Sequence, residues 1–91
     1  MNPATFVYRP GALPELQAAI RSAIEGGSPR VVIDLDGLVE LDAANARDLI
    51  LVLRRSREIG GEVALRTSKP AIGQGLAAMA LDRLFPMVNA A

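Results

Sequence analysis

The sequence predicts an α/β domain in which about four helices flank a small parallel or mixed β-sheet. Three observations indicate this fold. Short runs rich in β-branched residues alternate with longer runs whose apolar residues recur at helical spacing. Glycine or proline bounds most of these runs. The connections are short, which favours parallel pairing and right-handed crossovers in the order β-α-β-α-β-α.

Length and composition limit the chemistry that this chain can perform. Its 91 residues suffice for one domain, which we expect to span residues 1–91. Ten basic and ten acidic residues cancel, so the chain lacks the positive charge typical of nucleic-acid binding. The absence of Cys and His excludes thiol and imidazole chemistry and the metal sites that those residues form. The remaining candidates for a metal site are the carboxylates of Asp34, Asp36, Glu40 and Asp42, and their spacing fits no known metal-binding loop. We therefore predict no catalytic residue, no cofactor and no metal.

The sequence also lacks the signals of membrane insertion and export. No run approaches the ~20 apolar residues of a membrane span. The first residues do not show a basic region followed by a long apolar one, which a secretory signal requires. We expect a cytoplasmic protein without direct membrane insertion.

The first half of the chain predicts a strand, a helix and a second strand. Thr5–Tyr8 is rich in β-formers and leads into the turn signal Pro10-Gly11. Pro14 suits the first turn of a helix, which ends at Gly26-Gly27. The continuous β-branched run at Val31–Leu35 is typical of a central strand that is covered on both faces.

The second helix is the longest predicted element. Asp42 is a good N-cap, and the helix runs to about Ile59 before Gly60-Gly61 ends it. Leu51 lies on the same side of this helix as Arg47, which places an apolar residue in the polar face. Leu51 is an anchor for a partner, a residue that packs against a neighbouring element, or a surface leucine without a role.

A third strand and two helical segments complete the predicted elements. Glu62–Arg66 alternates polar and apolar residues, as a half-exposed strand does. Ser68 is the expected N-cap of the third helix, with Pro70 in its first turn. Leu81–Pro86 predicts a short helical turn, in which Leu84 packs under the sheet together with its apolar neighbours.

An ordered set of motifs then gives a family resemblance. The stretch VVIDLDGLVELDAANARDLILVLRRSREIGGEVAL, residues 31–65, resembles the core of a STAS domain, the fold of bacterial anti-sigma factor antagonists. That family shows an apolar strand, Asp-Leu-Ser, a short apolar stretch and then Asp-Ser-Ser/Thr-Gly at the start of a helix. The run LDRLFP at Leu81–Pro86 matches a similar run near the end of the family pattern. The resemblance covers about Val31–Pro86.

Two departures from the family pattern bear on function. Asp42-Ala43-Ala44-Asn45 replaces the Asp-Ser-Ser/Thr-Gly segment, in which typical members carry a hydroxyl phosphorylated by an anti-sigma factor that is also a kinase. Both hydroxyls are absent here, and Asn45 replaces the glycine. The N-terminal region is also shorter than in typical members, which begin with a strand hairpin.

The resemblance implies a non-catalytic protein-binding module of bacterial signalling, without the phosphorylatable Ser/Thr. The expected partner is an anti-sigma factor with serine kinase activity or a signalling scaffold, and a homodimer is a further option. The residues expected to contact the partner are Asp36, Asp42, Ala43, Ala44, Asn45, Arg47, Asp48 and Leu51.

Two other functions stay open at this point. STAS-like accessory subunits of lipid-transport ABC ATPases form the first alternative, because small free-standing proteins of this type occur in such systems. An enzyme is the second. It would need two of Asp34, Asp36 and Asp42 as an acid/base pair inside a cleft.

Overall fold

A computed structural model describes residues 3–88 of the chain. These residues alternate strands and helices, as the sequence predicts. The elements are β1 (Ala4–Val7), α1 (Leu13–Glu25), β2 (Arg30–Asp34), α2 (Ala43–Glu58), β3 (Glu62–Arg66), α3 (Pro70–Ala78), a 3-10 helix (Leu81–Arg83) and β4 (Met87–Val88). Three α-helices and one 3-10 helix thus stand where we expected about four helices.

The four strands form one sheet in the order β1-β2-β3-β4, and every neighbouring pair is parallel. The short strand β4 was not predicted. It pairs with the end of β3, where Leu65 lies opposite Met87. The predicted α/β class and parallel pairing are confirmed.

All helices pack on one face of the sheet. Alternate residues of the two central strands, Val31 and Ile33 on β2 and Val63 and Leu65 on β3, join a hydrophobic cluster with buried residues from every helix. Successive right-handed crossovers in one direction along a sheet place their helices on the same side. None of the helices in residues 3–88 is long and apolar enough to cross a membrane.

Strand β2 is central and buried on both faces, as expected, but the helices cover only one of those faces. Val32 points away from the helices and lies outside their hydrophobic cluster, beside Ala64 on β3. It is nevertheless only 5% exposed, because the flanking strands enclose it. On the same face, the Arg66 guanidinium lies 3.9 Å from the Asp34 carboxylate.

Two local expectations also need correction. Lys69 rather than Ser68 occupies the N-cap position of α3, and no side chain caps that helix. The Ser68 hydroxyl donates to Asp36 instead. Leu84 is 44% exposed, because the 3-10 helix ends at Arg83 and the chain turns outward there.

Glycine is required where α2 ends. Gly60 has φ +85°, in the left-handed region, and the next amide, that of Gly61, donates to the Ser56 carbonyl at 2.8 Å. This pattern is a Schellman motif, which satisfies the last carbonyls of the helix. The conformation disfavours any residue that carries a Cβ atom.

We predict that Gly60→Ala lowers the free energy of unfolding by about 1–2 kcal/mol, the cost of a left-handed alanine. The matched control is Gly73→Ala inside α3, where an added Cβ meets no atom within 4 Å. That control should raise stability by roughly 0.5–1 kcal/mol, because alanine favours a helix more than glycine does. Urea denaturation measures both effects, and effects of equal sign would contradict the assignment.

Candidate functional site

The parallel sheet brings three connections together at the carboxyl edge of its strands. Tyr8 follows β1, the β2–α2 loop covers residues 35–42, and the β3–α3 loop covers residues 67–69. Open parallel sheets bind their ligands at this edge. All predicted site residues lie on these connections or on α2.

The start of α2 is held by a reciprocal pair of hydrogen bonds. The amide of Asn45 donates to the Asp42 carboxylate at 2.8 Å, and the amide of Asp42 donates to Asn45 Oδ1 at 3.1 Å. The predicted N-cap at Asp42 is therefore confirmed, and Asn45 completes a capping box. The residue that replaces the family glycine thus fixes the first turn of the helix.

Tyr8 connects this capping box to the first strand. Its hydroxyl donates to Asp48 Oδ2 at 2.7 Å and accepts from Asn45 Nδ2 at 3.2 Å. The ring is 1% exposed. Burial, followed by the hydrogen bond to Asp48, raises the pKa of Tyr8 from 10.0 to about 12. The phenol therefore stays protonated near neutral pH and holds both side chains of α2.

Asp36 connects the β2–α2 loop to the β3–α3 loop. Its carboxylate accepts from the Ser68 hydroxyl at 2.6 Å, from the Ser68 amide at 2.8 Å and from the Thr67 hydroxyl at 2.8 Å. Hydrogen bonds from Ser68, and then from Thr67, lower the pKa of Asp36 from 3.8 to about 2. Lys69 adds a fourth bond between the loops, from its ammonium group to the Leu38 carbonyl at 2.9 Å.

The β2–α2 loop exposes one apolar side chain, while its three leucines pack against the core. Leu35, Leu38 and Leu41 are each at most 9% exposed and hold the loop against the core. Between them, Val39 is 89% exposed. Val39 is thus an exposed apolar side chain in a loop whose other apolar residues are buried.

The structure divides the predicted contact residues into three groups. Asp42, Ala43, Ala44 and Arg47 are exposed. Asp36, Asp48 and Leu51 are half-buried, and Asn45 is only 6% exposed. We call the exposed group, together with Leu51 and Val39, the α2 patch. The other three side chains lie in the hydrogen-bonded layer that supports it.

Sequence reasoning missed Tyr8, Val39 and the role of Ser68. The signal for Tyr8 was available, because a buried phenol needs a polar partner and β1 ends at the same edge as β2. Val39 lies in a short apolar run, which gives no indication of the residue that points outward. Serine is a common N-cap residue and Ser68 lies two residues before Pro70, but its hydroxyl donates to Asp36.

The family of this chain follows from its similarity to known proteins. Residues 9–88 match the family model described as "Mlab, STAS domain". The chain belongs to the STAS domain family. The resemblance seen in the sequence is confirmed, and the sheet and helices described above are those of a STAS domain.

Two proteins that are similar to this STAS domain, one in sequence and one in structure, carry anti-sigma factor antagonist names. A Bordetella bronchiseptica protein provisionally named anti-sigma factor antagonist BtrV is 29% identical over 75 residues, which are 82% of this chain. The match spans 65% of that relative's length. A crystal structure of an anti-sigma factor antagonist from Mycobacterium paratuberculosis shares 22% identity and a TM-score of 0.61. It covers 89% of this chain and 68% of its own, and it supports the fold.

We predict that Tyr8→Phe lowers the free energy of unfolding by about 1–3 kcal/mol, because it leaves partly buried polar groups of Asn45 and Asp48 without their partner. Urea denaturation measures the loss. Amide hydrogen exchange should accelerate in the first turns of α2 more than in β3. Unchanged stability, or a uniform acceleration, would contradict this role of the phenol.

We also predict that Ser68→Ala raises the pKa of Asp36 from about 2 towards its ordinary value of 3.8. A carboxylate whose pKa is lowered in the folded state stabilises the fold at pH values above its ordinary pKa. This stabilisation is lost as the pH falls through the lowered pKa. NMR titration of the Asp36 carboxyl carbon measures the shift. A pKa that is the same in both proteins would contradict the assigned hydrogen bonds.

Proposed function

We propose that this STAS domain is a cytoplasmic, non-catalytic protein-binding module that acts as an anti-sigma factor antagonist. Its partner is an anti-sigma factor of the serine kinase type or a signalling scaffold. The observation that supports this proposal most directly is the α2 patch, which combines exposed residues at the start of α2 with a rigid support. The antagonist name of the Bordetella relative agrees with it.

The α2 patch has the properties of a docking surface. Asp42, Ala43 and Ala44 lie at the start of α2, where helix geometry leaves the first amides free to donate to a partner. Small side chains at 43 and 44 allow close approach to those amides. Val39 and the half-buried Leu51 add apolar contacts, and Leu51 lies outside the hydrophobic core cluster. Apolar anchors with charged neighbours such as Arg47 are typical of protein interfaces.

The module is proposed to bind without regulation at the family's phosphorylation segment. A phosphate next to Asp42 would add negative charge beside an existing carboxylate and change partner affinity. Ala43 and Ala44 carry no hydroxyl to accept it. Phosphorylation of this segment therefore cannot control binding. Any regulation would have to act on the partner or on another part of the chain.

The geometry gives little support to an enzyme. The pKa of Asp36 is lowered to about 2 by three donated hydrogen bonds, so its carboxylate does not hold a proton near neutral pH. Asp42 is exposed, and its carboxylate caps α2. The two carboxylates are thus occupied by separate structural hydrogen bonds.

The test is a binding titration with the serine-kinase-type anti-sigma factors of the source organism. Leu51→Glu should weaken binding by ~1–2 kcal/mol, the scale of a modest hot spot, with a nearly unchanged melting temperature. Leu84→Glu is the matched control, because Leu84 is a leucine that is 44% exposed and is not part of the α2 patch. The control should bind like the unmodified chain.

Two results would contradict the proposal. Equal binding by the Leu51→Glu and Leu84→Glu variants would show that the α2 patch is not the interface. Binding only to a transport ATPase would instead support the accessory-subunit alternative.

Preincubation with ATP and the kinase should leave affinity unchanged and residues 42–45 unmodified by mass spectrometry.

A further inference from the structure

Strand β1 forms one edge of the sheet. It pairs with β2 on its inner side, and within residues 3–88 no strand pairs with its outer side. The sequence of β1, Ala-Thr-Phe-Val, contains no charged residue and no proline. Proteins usually protect an edge strand with such residues or with a covering element. An unprotected edge is a template for another strand.

The direction of the main-chain groups of β1 follows from one hydrogen bond. The Tyr8 amide points inward, because it donates to the Asp34 carbonyl of β2 at 3.0 Å. Main-chain groups of successive strand residues point to alternate sides, so those of Ala4 and Phe6 also point inward. Thr5 and Val7 therefore direct their N–H and C=O groups outward.

This pattern is self-complementary about Phe6. Thr5 and Val7 lie one residue on either side of Phe6. When a second copy approaches antiparallel with its Phe6 opposite Phe6, Thr5 of each chain faces Val7 of the other. Each of these two pairs exchanges two hydrogen bonds, and all four outward N–H groups find an acceptor. A shift of two residues towards the N-terminus would bring in Pro3, which has no N–H to donate.

The side chains of β1 suit the same register. Thr5 and Val7 are both β-branched and exposed, and they would meet on the face of the sheet away from the helices. Phe6 is partly buried against the core and would lie opposite its copy as a cross-strand aromatic pair. We propose that two copies of this chain associate through antiparallel pairing of their β1 strands, with the two-fold axis at Phe6. This inference is independent of the proposed function of the α2 patch.

The expected dimer is weak. A pair of four-residue strands buries less surface than the ~1,600 Å² of a standard stable interface. Sedimentation equilibrium of the purified chain should therefore show a mass that rises with concentration from 9.6 kDa towards twice that value. A mass that stays at the monomer value at every accessible concentration would overturn the proposal.

The decisive comparison is Val7→Pro against Val7→Ala. Proline removes the outward N–H of residue 7 and no inward bond, whereas alanine keeps that N–H. Loss of two symmetric hydrogen bonds should weaken association by at least about tenfold in the proline variant, and much less in the alanine variant. Equal association of the two variants would overturn the proposal. Thr5→Pro replaces Val7→Pro if thermal melting shows that the latter is unfolded.

Single cysteines test the register, because the chain contains none of its own. Phe6→Cys places two sulfur-bearing residues at a non-hydrogen-bonded pair about 4.5 Å apart between Cα atoms, within disulfide reach. Thr5→Cys is the matched control, because its copy would lie about 7–8 Å away on the diagonal. Oxidation should link the first variant and not the second. Equal linking, or the reverse order, would overturn the proposed pairing.

Discussion

The rest of this structure depends on the position of one phenol. Tyr8 ends the first strand, and its hydroxyl bonds to two residues of the helix that follows the second strand. The partners are 37 and 40 residues away along the chain. The parallel pairing of β1 and β2, which end at the same edge of the sheet, brings these groups together. The parallel strand topology therefore also determines the geometry of the site.

The hydrogen bond to Tyr8 explains the role of Asn45, which replaces the glycine of the family pattern. Glycine would give the start of α2 conformational freedom and a surface for close approach. Asn45 instead places a side chain under the helix, where it caps through Oδ1 and bonds to Tyr8 through Nδ2. The substitution that removes the glycine also fixes the surface above it. Together with Ala43 and Ala44, this gives a surface that is rigid and lacks a hydroxyl in that segment.

Much of the fold could be predicted from the sequence, because periodicity and capping act locally. The strand and helix order, the N-cap at Asp42 and the end of α2 at Gly60 all follow from neighbouring residues. The differences from expectation have non-local causes. Val32 is enclosed by adjacent strands rather than by a helix, and Ser68 bonds to an aspartate 32 residues away. No pattern within a single segment contains that information.

The candidate site shows the same division between local and long-range information. The family pattern directs attention to residues 42–45, and α2 does present Asp42 and the two alanines. Their support comes from elsewhere, from Tyr8 on one side and from the Asp36 hydrogen bonds to Thr67 and Ser68 on the other. Those bonds join the end of β1 to α2, and the β2–α2 loop to the β3–α3 loop. A partner that docks there meets groups already fixed in place, so binding loses less conformational entropy than binding to a mobile loop would. Residues 42–45 carry no hydroxyl, and the buried Asn45 holds the start of α2 through its hydrogen bonds to Asp42 and Tyr8.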